Sequence, residues 1–125
     1  QRQMCIRDSI WTYHDIGRTI ATPVANDGLL FAADLNCQVH CLDAKSGRRV
    51  WMHDTLAPIW GCLLLLDDKV PVADEDGVLH VFRAGRKKKL VGEIELPAPL
   101  YAGPAAFDGV LYIATAAKLY AIGRR

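Results

Sequence analysis

The sequence predicts an all-β chain, a partial β-propeller of four-stranded antiparallel blades. Three observations carry this: a repeat of about 40 residues, short apolar runs set off by turn dipeptides, and no sustained helical period. The motif Asp27-Gly28-Leu29-Leu30-Phe31-Ala32-Ala33-Asp34 aligns with 67–74 at an offset of 40, and 108–115 follows 41 residues further on. The match extends through 39–42 against 79–82 and leads, in the third copy, into 119–122. The approach segments agree as well: Ala57-Pro58-Ile59-Trp60 recurs as Ala98-Pro99-Leu100-Tyr101. Trp11 and Trp51 are also 40 residues apart.

Each unit reads as short strands separated by turns. Leu29 to Ala33 and Val110 to Ala114 are apolar and aromatic runs bounded by Asp-Gly or polar residues. Asp27-Gly28, Asp76-Gly77, Asp108-Gly109 and Ser46-Gly47 supply the turns, since glycine enters the left-handed region without strain. The strands are apolar on both faces, as in 39–42, which fits sheets packed between neighbouring sheets rather than a free hairpin.

The chain has 125 residues, 51% of them hydrophobic and 23% charged, with a formal net charge of +1. That excludes intrinsic disorder and a strongly basic nucleic-acid binder. A domain of this size buries roughly two-thirds of its unfolded surface, enough for a core. The four cysteines (Cys5, Cys37, Cys41 and Cys62) show no zinc-ligand spacing. The apolar run 56–66 is about half the length of a membrane span, so no transmembrane segment is expected. No apolar h-region lies at the start of this sequence, so no signal peptide is expected within it.

The segment Asp43-Ala44-Lys45-Ser46-Gly47-Arg48-Arg49-Val50-Trp51 resembles the D-A-x-T/S-G-x-x-x-W motif of the quinoprotein-like, PQQ-repeat β-propellers. The resemblance covers about residues 10–125. Its wording is closest to bacterial secreted or periplasmic members, including the outer-membrane assembly factor B-like kind. It implies a docking motif of Asp43, Gly47 and Trp51, with Trp11 as the docking residue of a preceding unit. It also implies a periplasmic or secreted location. The second unit departs from the pattern. At the offset of 40, Val91 takes the place of Trp51, Pro71 stands where Phe31 and Tyr112 do, and Cys37 stands where Gly77 does. A bulge or edge is expected at Pro71, and strain at Cys37 if its position needs positive φ.

Residues 1–9 do not continue the repeat. The motif expects Asp at position 3 and Gly at 7, and the chain has Gln3 and Arg7. They are expected to lie outside the fold, with 10–125 forming the outer strand of one blade, two full blades and a partial final blade. Arg125 corresponds to Lys45, so the third unit stops after its third strand. Two to three blades do not close a ring, and the chain is read as the C-terminal part of a larger propeller.

No catalytic residue and no metal ligand set stands out. His40 and His80 are equivalent repeat positions, with Tyr120 in the third slot, and read as half-buried structural residues. Asp74-Glu75-Asp76-Gly77 lacks the spacing of a calcium loop and reads as a solvated hairpin turn. Arg86-Lys87-Lys88-Lys89 could bind phosphate or anionic lipid, but it falls at a hairpin turn with no interleaved aromatic platform and reads as a solvated loop tip. Trp60 and Tyr101 are equivalent, with Ile20 in the first slot. They sit at the entry to each unit's first strand, where they either pack or line a ligand funnel. The expected function is therefore a non-catalytic binding or scaffold module. Its partner at the loops would be a protein, peptide or carbohydrate, with no nucleic acid and no cofactor. The alternative is a fragment of a PQQ-dependent dehydrogenase whose quinone and calcium site lies upstream. The isolated chain is expected to self-associate through open blade faces.

Overall fold

A computed structural model describes residues 4–123. Gln3 and Arg125, whose repeat positions were assigned above, lie outside the described residues. The chain is all-β, in three antiparallel sheets arranged as successive blades.

The first blade has four strands in the order β1-β2-β3-β4: β1 Val24–Asn26, β2 Leu29–Ala33, β3 Gln38–Asp43 and β4 Arg49–Asp54. The second is β5 Lys69–Ala73, β6 Val78–Arg83 and β7 Leu90–Glu95. The third pairs β8 Ala105–Phe107, β9 Val110–Ala114 and β10 Leu119–Gly123. The tight turn Asp27-Gly28 joins β1 to β2, with both residues at positive φ (47° and 77°). Asp108-Gly109 joins β8 to β9 in the same way, at 51° and 76°.

The second blade has lost its innermost strand. In the first blade Phe31 opposes Val24 across β1 and β2. Pro71 holds the corresponding place in β5 and has no N–H to give. Pairing there shrinks to a single bridge between Leu66 and Lys69, with backbone bonds of 2.8 and 2.9 Å. Pro71 therefore lies on an edge strand, and the second blade is three-stranded rather than four-stranded.

β3–β4 and β6–β7 are irregular at the same point. The register shifts between Cys41 and Leu42 in one and between Val81 and Phe82 in the other. Cys41 opposes Trp51, whereas Val81 opposes Gly92. The residue in the tryptophan slot of the second blade is thus Gly92, not the Val91 expected from sequence offset. The connection 84–89 is one residue longer than 44–48, and that insertion moves the register.

Residues 9–23 contain no strand, so Trp11 approaches the first blade from an irregular segment rather than from a paired outer strand. Before it, Ile6–Asp8 forms one 3-10 turn with no buried residue.

Apolar side chains meet between blades. Leu29, Phe31, Cys41, Trp51, Val70 and Phe82 belong to the core joining the first blade to the second. Trp51 lies between Phe31 and Phe82, with ring centroids at 5.9 and 5.5 Å. A smaller core of Ala73, Leu79, Leu100 and Ile113 joins the second blade to the third. A recurring backbone bond stitches the units together: Leu35 N–H to Arg18 O, Glu75 N–H to Pro58 O, and Ala116 N–H to Pro99 O, at 2.8, 2.9 and 3.0 Å.

Candidate binding site at one end of the blades

The turns at one end of the blades are organised by buried side chains. The Asp34 carboxylate accepts bonds from the backbone N–H groups of Asn36 and Gln38 at one oxygen, and from Gly17 N–H at the other. That second oxygen also meets His40 Nε2 at 2.8 Å. A carboxylate acceptor requires the proton on Nε2, so His40 Nδ1 accepts from the Tyr13 hydroxyl at 3.0 Å. Burial pushes the Asp34 pKa up, but the bonds from His40, Gly17 and Gln38 outweigh it and hold the carboxyl below its ordinary value.

The second blade repeats the device. Asp74 accepts from Asp76 and Val78 N–H, and its other oxygen meets His80 Nε2 at 2.6 Å. His80 Nδ1 lies 3.1 Å from Glu93 Oε2, an ion-pair contact off the line of a hydrogen bond. In the third blade Thr115 Oγ1 takes the carboxylate's place, accepting from Ala117 and Lys118 N–H.

His40 and His80 are therefore buried, at 1% and 5% exposure, rather than half-buried as expected. Their aspartate partners were missed. The signal was present, since Asp34 precedes His40 by the same interval as Asp74 precedes His80. Across the first interface His53 faces His80, with ring centroids 6.3 Å apart, and packs edge-on against Phe82. His53 Nδ1 is buried without a hydrogen-bond partner. Burial, then the positive charges of Lys88 and His80, push its pKa down.

Trp60 and Tyr101 are brought together. Their rings meet edge to face with centroids 6.2 Å apart. Trp60 Nε1 donates to Glu75 Oε1 at 3.0 Å, an anchor that sequence reasoning did not identify. Tyr101 is 50% exposed and Ile20, in the equivalent first slot, 57%. Nearby, backbone groups approach so closely that a Cβ on Gly61 would fall 2.2 Å from Gly103 N.

The residues of the docking motif divide into two contacts. Trp11 Nε1 donates to Ala44 O, and Trp51 Nε1 donates to Gly85 O, both at 2.9 Å. Each indole thus reaches the carbonyl of the corresponding turn in the next unit. The Trp11 ring covers Gly47, whose φ is 75°. Asp43 builds that turn by accepting from the N–H groups of Lys45 and Ser46 and from the Ser46 hydroxyl. It also pairs with Arg86 of the next blade. The Ser46 N–H bond is the chief reason its carboxyl lies below its ordinary value.

Arg86 is thus a strut between blades, while Lys87, Lys88 and Lys89 are exposed. Cys37 has φ 71° and Gly77 φ 89°, so the cysteine occupies a left-handed position that its counterpart fills with glycine. A cleft of about 490 Å³ beside the first blade is lined by His14, Asp15, Asp34, Asn36, His40 and Arg49. No group of three or more His, Cys, Asp or Glu among the described residues is placed to hold a metal ion. The carboxylates of Asp34 and Asp74 are already committed to turn N–H groups and histidines, and so are not free to serve as calcium ligands. No described helix is long and apolar enough to cross a membrane.

Blades of this strand order, docked through indoles and backbone stitches, define the chain as part of a quinoprotein-like β-propeller. A family model described as outer membrane protein assembly factor BamB matches residues 8–90, and the chain belongs to that family. Among solved structures it is similar to BamB from Moraxella catarrhalis, with a TM-score of 0.78 and 21% identity over 92% of this chain and 38% of that one. It is also similar to the quinohemoprotein alcohol dehydrogenase ADHIIG from Pseudomonas putida HK5, with a TM-score of 0.69 and 20% identity over 82% of this chain and 17% of that one. The quinohemoprotein alcohol dehydrogenase from Comamonas testosteroni gives a TM-score of 0.64 and 24% identity, over 77% of this chain and 17% of that one. The chain therefore spans well under half the length of these proteins. No curated protein matches it.

Proposed function

We propose that the chain is part of a non-catalytic propeller that acts as a binding or scaffold module in the bacterial envelope, on the periplasmic side of the outer membrane. The observation that carries this reading is the family match over 8–90, to a family described by its part in outer-membrane protein assembly. The end bearing Trp60 and Tyr101 is the partner-facing end: its exposed aromatic surface is the kind that binding sites use. A protein partner is favoured over a free peptide or a carbohydrate, because assembly is a protein–protein task. Asp43, Gly47, Trp51 and Trp11 act within the propeller, holding blade to blade. The module needs no cofactor of its own.

A second reading is that the chain is a piece of a PQQ-dependent dehydrogenase, favoured by the fold shared with the two alcohol dehydrogenases. One pair of experiments separates them. A photo-crosslinking amino acid at Tyr101, in the protein expressed in a bacterial envelope, should give discrete protein adducts. Dye reduction by the purified protein supplied with PQQ, calcium and a primary alcohol should stay at background. Quinone-dependent dye reduction, or no adduct at Tyr101, overturns the scaffold reading.

A further inference from the structure

One end of the blades is predominantly acidic, and the other is mixed in charge. At the mixed end the turns 44–48 and 84–89 hold Lys45, Arg48, Arg86, Lys87, Lys88 and Lys89, beside exposed Asp27, Asp67, Asp68 and Asp108 on the neighbouring turns. The opposite end is formed by 34–37, 55–61, 74–77 and 96–104. Exposed Asp54, Asp76 and Glu95 and half-buried Glu75 lie in or beside those turns, and Asp15 lies on the segment that approaches them. Arg18 and Lys118 oppose them in those turns and their approach, and Arg49 reaches the cleft that Asp15 and Asp34 line. The Cys37 thiol registers the resulting field. Burial raises its pKa first, and the carboxylates of Asp54, Asp34, Asp74 and Asp76 raise it further.

The aromatic pair sits in this negative end. The bond from Trp60 Nε1 to Glu75 fixes the indole and places a carboxylate beside it. Tyr101 meets Trp60 edge to face and leaves half of its own surface to solvent. Aromatic faces attract a cationic head group, and the aliphatic stem of lysine or arginine lies well on an apolar ring. Adjacent carboxylates add charge complementarity, which a neutral sugar cannot use and an acidic segment opposes.

We propose that this end binds a basic polypeptide segment, with a lysine or arginine over Tyr101 and Trp60 and its head group toward Glu75 and Asp76. The proposal rests on the reading that this end meets a protein partner, and it names the chemistry of the contacting segment.

The test uses the full chain and fluorescent peptides of alternating lysine and serine, or glutamate and serine, with a maltooligosaccharide as competitor. The lysine peptide should bind and weaken as salt is raised. The glutamate peptide should not bind, and the sugar should not compete. Combining Glu75→Gln with Asp76→Asn should weaken lysine-peptide binding about tenfold and flatten its salt dependence. The amide oxygen introduced by Glu75→Gln still accepts the Trp60 N–H, so the indole stays in place. Tyr101→Leu should cost about threefold to tenfold, and Lys87→Glu at the opposite end should leave binding unchanged. Equal binding of both peptides, or full binding by the double variant, overturns the proposal. So does absence of lysine-peptide binding while Tyr101 still crosslinks to protein, which leaves the partner-facing end standing. Loss of the crosslink itself removes the underlying reading instead.

Discussion

Gly47 is constrained twice. Its φ of 75° lies where a Cβ is strained, and a Cβ there would fall 2.5 Å from the Trp11 ring. The left-handed conformation alone costs a non-glycine residue about 1–2 kcal/mol, and displacing the indole adds the loss of its bond to Ala44. Gly47→Ala should therefore destabilise the chain by about 2–3 kcal/mol, read from urea unfolding, and shift tryptophan emission to the red as Trp11 leaves its seat. An unchanged midpoint would mean that the Trp11 contact contributes nothing. His53 makes the opposite kind of prediction, one of pH. Its folded pKa is depressed, so the unfolded chain takes up the proton first as pH falls through the ordinary value of 6.5. Stability is then present above that value and lost below it. Asp34 is also depressed, but from an ordinary value of 3.8, so its contribution disappears only in stronger acid. The urea midpoint should thus drop between about pH 7 and pH 5.5, and His53→Phe, which keeps a ring against Phe82, should flatten that drop. An equally steep profile in the variant would place the titrating group elsewhere.

At the scale of elements, the second blade is where the repeat is weakest. A Cβ on Gly92 meets nothing within 4 Å, although the residue sits inside β7 opposite Val81. Gly92→Thr should stabilise the chain by about 0.5–1 kcal/mol, because a β-branched residue suits a strand and restricts the unfolded chain. A loss of stability would show that the slot is closed to side chains in solution. Much of this level was legible in the sequence, because turns and apolar runs are local. Asp-Gly dipeptides marked the hairpins, and the 40-residue offset aligned β2, β5 and β9, and β3, β6 and β10, across the three units. What escaped was set by register and by pairing across distance. One extra residue in 84–89 moved Gly92 into the tryptophan slot, which no alignment by fixed offset detects. Pro71 reduced a strand to one bridge, since the missing N–H acts on a partner five or more residues away. The Trp60–Tyr101 pair was legible because repeat positions coincide in space, but Glu75 was not, because its bond to Trp60 crosses from one connection to another.

At the scale of the whole molecule, burial is uneven. The first interface encloses Phe31, Trp51 and Phe82, whereas the third blade leaves Phe107 75%, Leu119 73% and Tyr112 36% exposed. The side chain of Tyr112 stands in the repeat position of Phe31, which is fully buried. A face that is packed in one blade and open in another is a ready surface for association, and β10 adds a strand edge without a neighbour among the described strands. The chain as it stands should therefore self-associate at micromolar concentration, giving a light-scattering mass above its 13.8 kDa. Phe107→Ser with Leu119→Lys should shift that mass toward the monomer, because both side chains lie in solvent and their replacement leaves the smaller core of Leu79, Leu100 and Ile113 intact. A monomer before substitution would mean that the open face is too small or too mobile to hold a second copy. An unchanged oligomer after substitution would move the contact elsewhere, and the cleft beside His14 and Arg49 is one surface open to it.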